Sequence, residues 1–226
     1  MTEATIVETT LEDLVERARA LAHRGGRRIL GICGAPGSGK SYLADHLVAA
    51  LGPDLAVAVP MDGFHLAGEV LDALGRTPRK GAHDTFDGLG YVDLLRRLRA
   101  QPPRADGEDP ALDGVVLAPR FRREIEEPVG SAIPVPPDVP LVVTEGNYLL
   151  RREAPWTPVR DLLDEVWFLA PPEDLRHDRL VARHESFGRS PAAARERSFG
   201  SDEVNAGVIA TTAGRADAVW RLVQGT

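Results

Sequence analysis

The residues best placed to do chemistry begin with Lys40 and Ser41, which close the stretch Gly34-Ala35-Pro36-Gly37-Ser38-Gly39-Lys40-Ser41 and satisfy the pattern GxxxxGK[ST]. Glycines at these places let successive backbone N–H groups turn inward on phosphate oxygens. A lysine at this spacing reaches the β- and γ-phosphates of a nucleoside triphosphate, and the hydroxyl after it ligates Mg²⁺. Gly34, Ala35, Gly37, Ser38, Gly39, Lys40, Ser41 and Tyr42 are therefore the expected nucleotide contacts; the alternative is a Gly/Ser turn that merely precedes a helix. Two carboxylates, Asp62 and Glu145, each end an apolar run. Asp62 could accept the proton of an attacking hydroxyl, although an aspartate before glycine is also an ordinary turn residue. Glu145 could hold Mg²⁺ through water or help to place an acceptor.

The elements that must position these groups follow from the apolar pattern. Arg28 to Cys33 reads as a strand, and Tyr42 to Leu51 repeats apolar residues at helical spacing, so the phosphate loop joins a strand to a helix whose positive end faces the loop. Further strands are expected at Leu55–Met61, Pro140–Leu150, Glu165–Ala170 and Ala218–Val223. Helices are expected at Leu11–Ala22, with Thr9 and Glu12 as its capping box, and at Tyr91–Ala100. Gln101 to Gly114 reads as an exposed excursion, Val115–Leu117 as a short strand and the proline-rich Val129–Pro140 as an irregular connector.

From Glu173 to His184 a helix would carry Arg176, Arg179 and Arg183 on one face. Gly188 supplies a hinge, Arg189 follows it, and Ser190-Pro191 caps the next helix. Residues 173 to 200 thus have the form of a lid whose arginines, Arg183 and Arg189 foremost, neutralise a transferring phosphoryl group. The plainer reading is a basic helix face in solvent.

Composition narrows the partners. The chain has 226 residues, 43% hydrophobic and 27% charged, enough for one good core, and a single domain over residues 1–226 is expected. A net charge of −7 gives no electrostatic footprint for nucleic acid or an anionic membrane, which points to a small-molecule partner. Cys33 is the only cysteine and reads as a packed residue rather than a nucleophile. The first ten residues lack the form of a signal peptide, and the longest apolar runs are too short to span a bilayer, so a cytoplasmic location is expected. Exposed residues of the Leu11–Ala22 helix offer a surface for a homodimer.

Asp62-Gly63-Phe64-His65 after the second strand, Arg79-Lys80-Gly81-Ala82-His83-Asp84-Thr85-Phe86-Asp87, and Glu145-Gly146-Asn147-Tyr148-Leu149-Leu150 together resemble the phosphoribulokinase, uridine kinase and pantothenate kinase family of P-loop small-molecule kinases. The resemblance covers most of Ile29 to Val223. It implies an α/β protein with the P-loop nucleoside triphosphate hydrolase fold, a three-layer α/β/α sandwich with a mainly parallel five-stranded sheet and a helical lid. It implies ATP and Mg²⁺ as cofactors, Asp62 as proton acceptor, and His65, Lys80, Asp84, Phe86, Arg120, Asn147 and Tyr148 around a hydroxyl-bearing acceptor. The alternative for Asn147 and Tyr148 is a helix cap and a packed aromatic. The family often carries Pro-x-Phe-Asp-Arg where this chain has Pro119-Arg120-Phe121-Arg122-Arg123, so Arg122 replaces the aspartate. The acceptor implied is a nucleoside or pantothenate, or else a sugar. A regulatory NTPase is the other reading, but Asp72–Gly75 and Asp87–Gly90 follow no apolar run and no Asn-Lys-x-Asp motif is present.

Overall fold

The computed structural model describes residues 5–104 and 113–223; most of the excursion expected at Gln101–Gly114 lies outside them. In chain order the elements are β1 (Ile6–Thr9), α1 (Leu11–Ala22), β2 (Arg28–Gly34), α2 (Lys40–Leu51), β3 (Ala56–Ala58), α3 (Gly68–Ala73), α4 (Gly88–Ala100), β4 (Val116–Arg122), β5 (Glu127–Val135), β6 (Leu141–Gly146), β7 (Glu165–Leu169), α5 (Glu173–Ser186), α6 (Pro191–Phe199), α7 (Ser201–Ala210) and β8 (Ala218–Leu222). A parallel sheet runs in the order β1-β8-β7-β2-β6-β3. Alternation divides its buried residues between two faces. Leu30, Ile32, Leu141, Val143 and Trp167 pack with α1 and α2, while Ile29, Cys33, Val142, Val166 and Phe168 pack with α4 and Ile209 of α7. That makes the three-layer α/β/α architecture.

Among the described residues the sheet has six strands rather than five. The additional strand, β1, is short and lies at an edge, paired with β8 from Ile6↔Val219 to Thr9↔Leu222; only the brief β-branched run around Ile6-Val7 hinted at it. Thr9 is consumed by this strand, so the capping box of α1 moves one residue on. The Thr10 hydroxyl accepts from the Asp13 N–H at 3.1 Å, and Asp13 accepts from the Thr10 N–H at 3.3 Å.

A second correction concerns the expected connector. Residues 127–135 pair with β4 as an antiparallel ribbon, Val116↔Val135 through Arg122↔Glu127. Pro128 and Pro134 suppress a strand reading, yet a two-stranded ribbon leaves one side of each strand unpaired, and a proline is accommodated where its nitrogen faces that side. The ribbon sits directly on the turn carrying Asp62. A Cβ on Gly63 would lie 2.4 Å from the Pro119 carbonyl oxygen, so glycine is required beside Asp62 for this approach. Among the described residues no helix is long and apolar enough to cross a membrane.

Gly63→Ala should therefore destabilise the protein by roughly 1–3 kcal/mol, because the clash is with backbone. Gly207→Ala, in α7 with nothing within 4 Å of the added methyl, should leave stability unchanged or raise it by up to about 1 kcal/mol. Denaturant unfolding of the two variants beside the parent checks the contrast.

Candidate functional site

The phosphate loop bends out of β2 and into α2 through backbone that side chains resist. Gly37 has φ +81° and Gly39, the residue before α2, has φ +94°. At Gly37 a Cβ would also stand 2.6 Å from the Arg176 carbonyl oxygen, so α5 is packed against the loop from behind. Ser38 is buried, and its Oγ has no hydrogen-bond partner among the described residues. Lys40 is buried, and its Nζ donates to the Ala35 carbonyl at 3.0 Å. Burial pushes the Lys40 ammonium below its ordinary pKa, with Glu145 pulling the other way. Tyr42 is exposed on α2, near the His46 ring, at the mouth of a cavity it shares with Gly37, Gly39 and Lys40.

Strand register delivers the carboxylates. Glu145 is opposite Ile32, one step before the last residue pair of β2 and β6, which puts it beside the start of α2. The Ser41 hydroxyl donates to Glu145 Oε1 at 3.0 Å. Burial, and then the charge of Asp62, push the Glu145 carboxyl up to about 7. Asp62 follows β3, the strand next to β6. Burial works to raise its carboxyl, but His65, Arg123, Arg183 and Lys40 more than reverse this and hold it below the usual carboxylate value. Its Oδ2 accepts from Arg123 Nη2 at 3.2 Å. Burial of Cys33 raises its thiol to about 11, which keeps it protonated and inert at neutral pH.

A cleft of about 600 Å³ opens from these groups and is lined by Lys40, Ser41, Asp62, Glu145, Asn147, His65, Lys80, Phe86, Arg183 and Arg189, among others. His65 bonds through Nδ1 to the Asp62 carbonyl at 2.8 Å, and its ring lies 4.0 Å from that of Phe86 and 4.7 Å from that of Phe121. Lys80 donates to the Glu126 carbonyl at 2.6 Å and lies 5.1 Å from the centre of the Phe121 ring. Arg183 and Arg189 are exposed to the cleft. Neither side chain makes a hydrogen bond or salt bridge among the described residues.

Three expected acceptor contacts are placed otherwise. Asp84 does not line the cleft, because Arg76 and Arg79 of its own loop engage it, Arg76 Nε at 3.5 Å. Tyr148 is buried against Phe86 and Trp156, and its hydroxyl donates to the Gly81 carbonyl at 2.7 Å. It anchors the loop that carries Lys80 and so acts as the packed aromatic of the two readings. Arg120 is exposed on the ribbon and close enough to Asp45 to oppose, in part, the burial that raises that carboxyl.

Arg123, just past the end of β4, reaches Asp62 in place of Arg120. Its signal was present, since Arg123 holds the arginine position of Pro-x-Phe-x-Arg. Arg176 differs from its helix neighbours Arg179 and Arg183. It is buried at 1% exposure, donating to the Pro36 carbonyl at 3.2 Å and pairing with Glu173 and Glu203. The foot of the expected lid is thus tied to the phosphate loop and to α7. Glu173, His177 and Glu203 cluster closely enough to suggest a metal site, but the Arg176 guanidinium already supplies their cation.

A parallel sheet with a phosphate loop on its central strand and carboxylates at the adjoining strand ends defines a P-loop kinase of the three-layer α/β/α type. No protein-family model matches the chain. It is 36% identical over 152 residues to an ATP-dependent kinase-like protein of Aspergillus versicolor, covering 65% of this chain and 84% of the relative. Over 207 residues it is 30% identical to a Schizosaccharomyces pombe protein whose name proposes uridine kinase activity, covering 87% and 84%. A crystal structure from Silicibacter sp. TM1040, of a protein proposed as a fructose transport system kinase, superposes with TM-score 0.80 at 34% identity over 94% of this chain and 99% of that one. The chain belongs to the phosphoribulokinase, uridine kinase and pantothenate kinase family of P-loop small-molecule kinases.

The raised Glu145 carboxyl has a consequence for stability. Between its unfolded value near 4.5 and its folded value of about 7 the native state holds the proton more tightly, so stability contributed by this group falls as pH rises through that window. Thermal melts of the ligand-free protein from pH 4.5 to 7.5 should show this decline, and Glu145→Gln should flatten it.

Proposed function

We propose that this kinase transfers the γ-phosphate of ATP to a hydroxyl of a small polar metabolite, with Asp62 as the proton acceptor. The observation that carries the reading is the Asp62 carboxylate: it is kept ionised by its surroundings, faces the cleft that Lys40 also lines, and has Oδ2 held by Arg123 while Oδ1 has no hydrogen-bond partner among the described residues. The acceptor oxygen bonds to the γ-phosphorus as the bond from that phosphorus to the ADP oxygen breaks, and the acceptor's proton passes to Asp62. Lys40, Arg183 and Arg189 offset the charge on the transferring group, and the α5–α6 turn excludes water.

The loop fits the nucleotide. Gly37 and Gly39 take the positive-φ backbone that turns N–H groups inward, and the Ser38 hydroxyl, unpartnered among the described residues, is a donor within the loop. A hydroxyl and a carboxylate make an oxygen donor set suited to a hard divalent cation, so Ser41 and Glu145 are the residues that would hold Mg²⁺. That ion would supply neutralisation of phosphate charge. His65, Lys80, Phe86 and Asn147 are assigned to the acceptor. Its class is a nucleoside or pantothenate, or a sugar; the proposed activities of the Schizosaccharomyces and Silicibacter relatives support the first and the last of these.

ADP release from Mg-ATP, measured against uridine, cytidine, other ribonucleosides, pantothenate, ribose, fructose and ribulose 5-phosphate, should single out one acceptor. Asp62→Asn should leave ATP affinity within a few-fold of the parent and lower transfer by at least about 100-fold. Undiminished turnover in that variant removes Asp62 from the chemistry, and ATP hydrolysis that no acceptor accelerates favours a regulatory NTPase.

A further inference from the structure

Two residues line every one of the three cavities around the site: Arg123 from the ribbon and Phe187 from the turn after α5. Their side chains meet where the phosphate-loop cavity, the acceptor cleft and an outer groove beside the ribbon come together. The Arg123 guanidinium lies 5.8 Å from the centre of the Phe121 ring and 5.6 Å from that of Phe187, while one of its nitrogens donates to Asp62 Oδ2. One cation is therefore shared by two aromatic faces and a carboxylate, contributed by the ribbon, the α5–α6 turn and the turn after β3. Phe187 is half-exposed, and the next residue, Gly188, has φ +85° and open space where a Cβ would be. Gly188 is thus a point where the backbone can change direction with no side chain in the way, and movement there carries Phe187.

We propose that Arg123 is a positioning residue for Asp62, and that its contact with Phe187 is a latch through which the α5–α6 turn controls that positioning. With Oδ2 engaged, the carboxylate presents Oδ1 to the acceptor's hydroxyl. When the turn lies against the ribbon, Phe187 limits the guanidinium to the direction of Asp62; when it swings out, Arg123 loses one of its two aromatic faces and its hold on the carboxylate loosens. The arrangement ties readiness of the proton acceptor to the same movement that shuts water out of the site. Arg122, which points its guanidinium to Glu124 and stands where the family often has aspartate, takes no part in the latch.

This inference rests on the reading of Asp62 as proton acceptor, and a double-mutant cycle separates the two. ADP release from Mg-ATP is followed with the best acceptor of the panel, or with water as acceptor where none responds, for Arg123→Met, Phe187→Ala, the double variant, Arg123→Lys and Asp62→Asn. Arg123→Met should lower kcat by about 100-fold and Phe187→Ala by about 10-fold, with KM for Mg-ATP within about threefold of the parent. A latch makes the two changes non-additive, so the double variant should stay within about twofold of Arg123→Met. Arg123→Lys, which keeps the charge and the aromatic contact, should recover part of the loss and serves in the cycle if Arg123→Met does not fold. Losses that multiply to about 1,000-fold, or an Arg123→Met variant within about threefold of the parent while Asp62→Asn is inactive, overturn the latch and leave the proposed chemistry standing. An active Asp62→Asn overturns both.

Discussion

Two carboxylates, Asp62 and Glu145, lie at the ends of adjoining strands, Glu145 buried and Asp62 half-buried at the edge of the cleft. Burial, and then the like charge of Asp62, raise the Glu145 carboxyl to about 7. Keeping Asp62 ionised in such a place needs several cations, and each comes from a different part of the fold. Lys40 stands at the start of α2, Arg123 at the tip of the ribbon and Arg183 on α5. The sheet can hold the anions by register alone, but the ribbon and the α5–α6 arm have to be brought over it to balance them. The charge requirement therefore gives the ribbon, which also adds Val116, Ala118, Ile133 and Val135 to the core, and the α5–α6 arm a reason to lie over the strand ends.

Arg176 shows the other use of a charged group in this architecture. A fully buried guanidinium is costly unless its donors are satisfied, and here Glu173, Glu203 and the Pro36 carbonyl satisfy them. The result joins the phosphate loop, the first turns of α5 and the start of α7 into one unit. Past Leu180 the arm is held at two further points, His184 to Asp202 Oδ2 at 2.7 Å and Arg197 to the Pro78 carbonyl at 2.9 Å, and the α5–α6 turn lies between them. Arg183, Phe187 and Arg189 all lie in that outer part, while Arg176 lies in the fixed part, three turns of sequence that look uniform in their basic spacing.

What the sequence made legible follows from how local each feature is. The strand, loop and helix around Lys40 are contiguous, and the glycines there answer to backbone geometry that nothing distant can change. Asp62 and Glu145 could be found because each closes an apolar run. Asp84 and Tyr148 misled because their partners, Arg79 and the Gly81 carbonyl, compete for them within the fold, and spacing carries no record of that competition. Arg123 was passed over although its motif position was visible, since its importance depends on a ribbon that proline content concealed. Arg176 could not be told from Arg183 because periodicity assigns a helix face without saying which length of that face is covered.

The prolines of β5 also bear on how the protein behaves among other molecules. A two-stranded ribbon projecting from a sheet exposes two long edges, and each exposed edge is a template on which a strand from a neighbouring chain can align. Pro128 and Pro134 withhold their backbone donors from that use, and the charged tip from Arg122 to Glu126 discourages approach end-on. The same residues that hide the strand from a reader of the sequence also hide it from unwanted partners, so the arm can stay extended over the site without becoming a seed for aggregation.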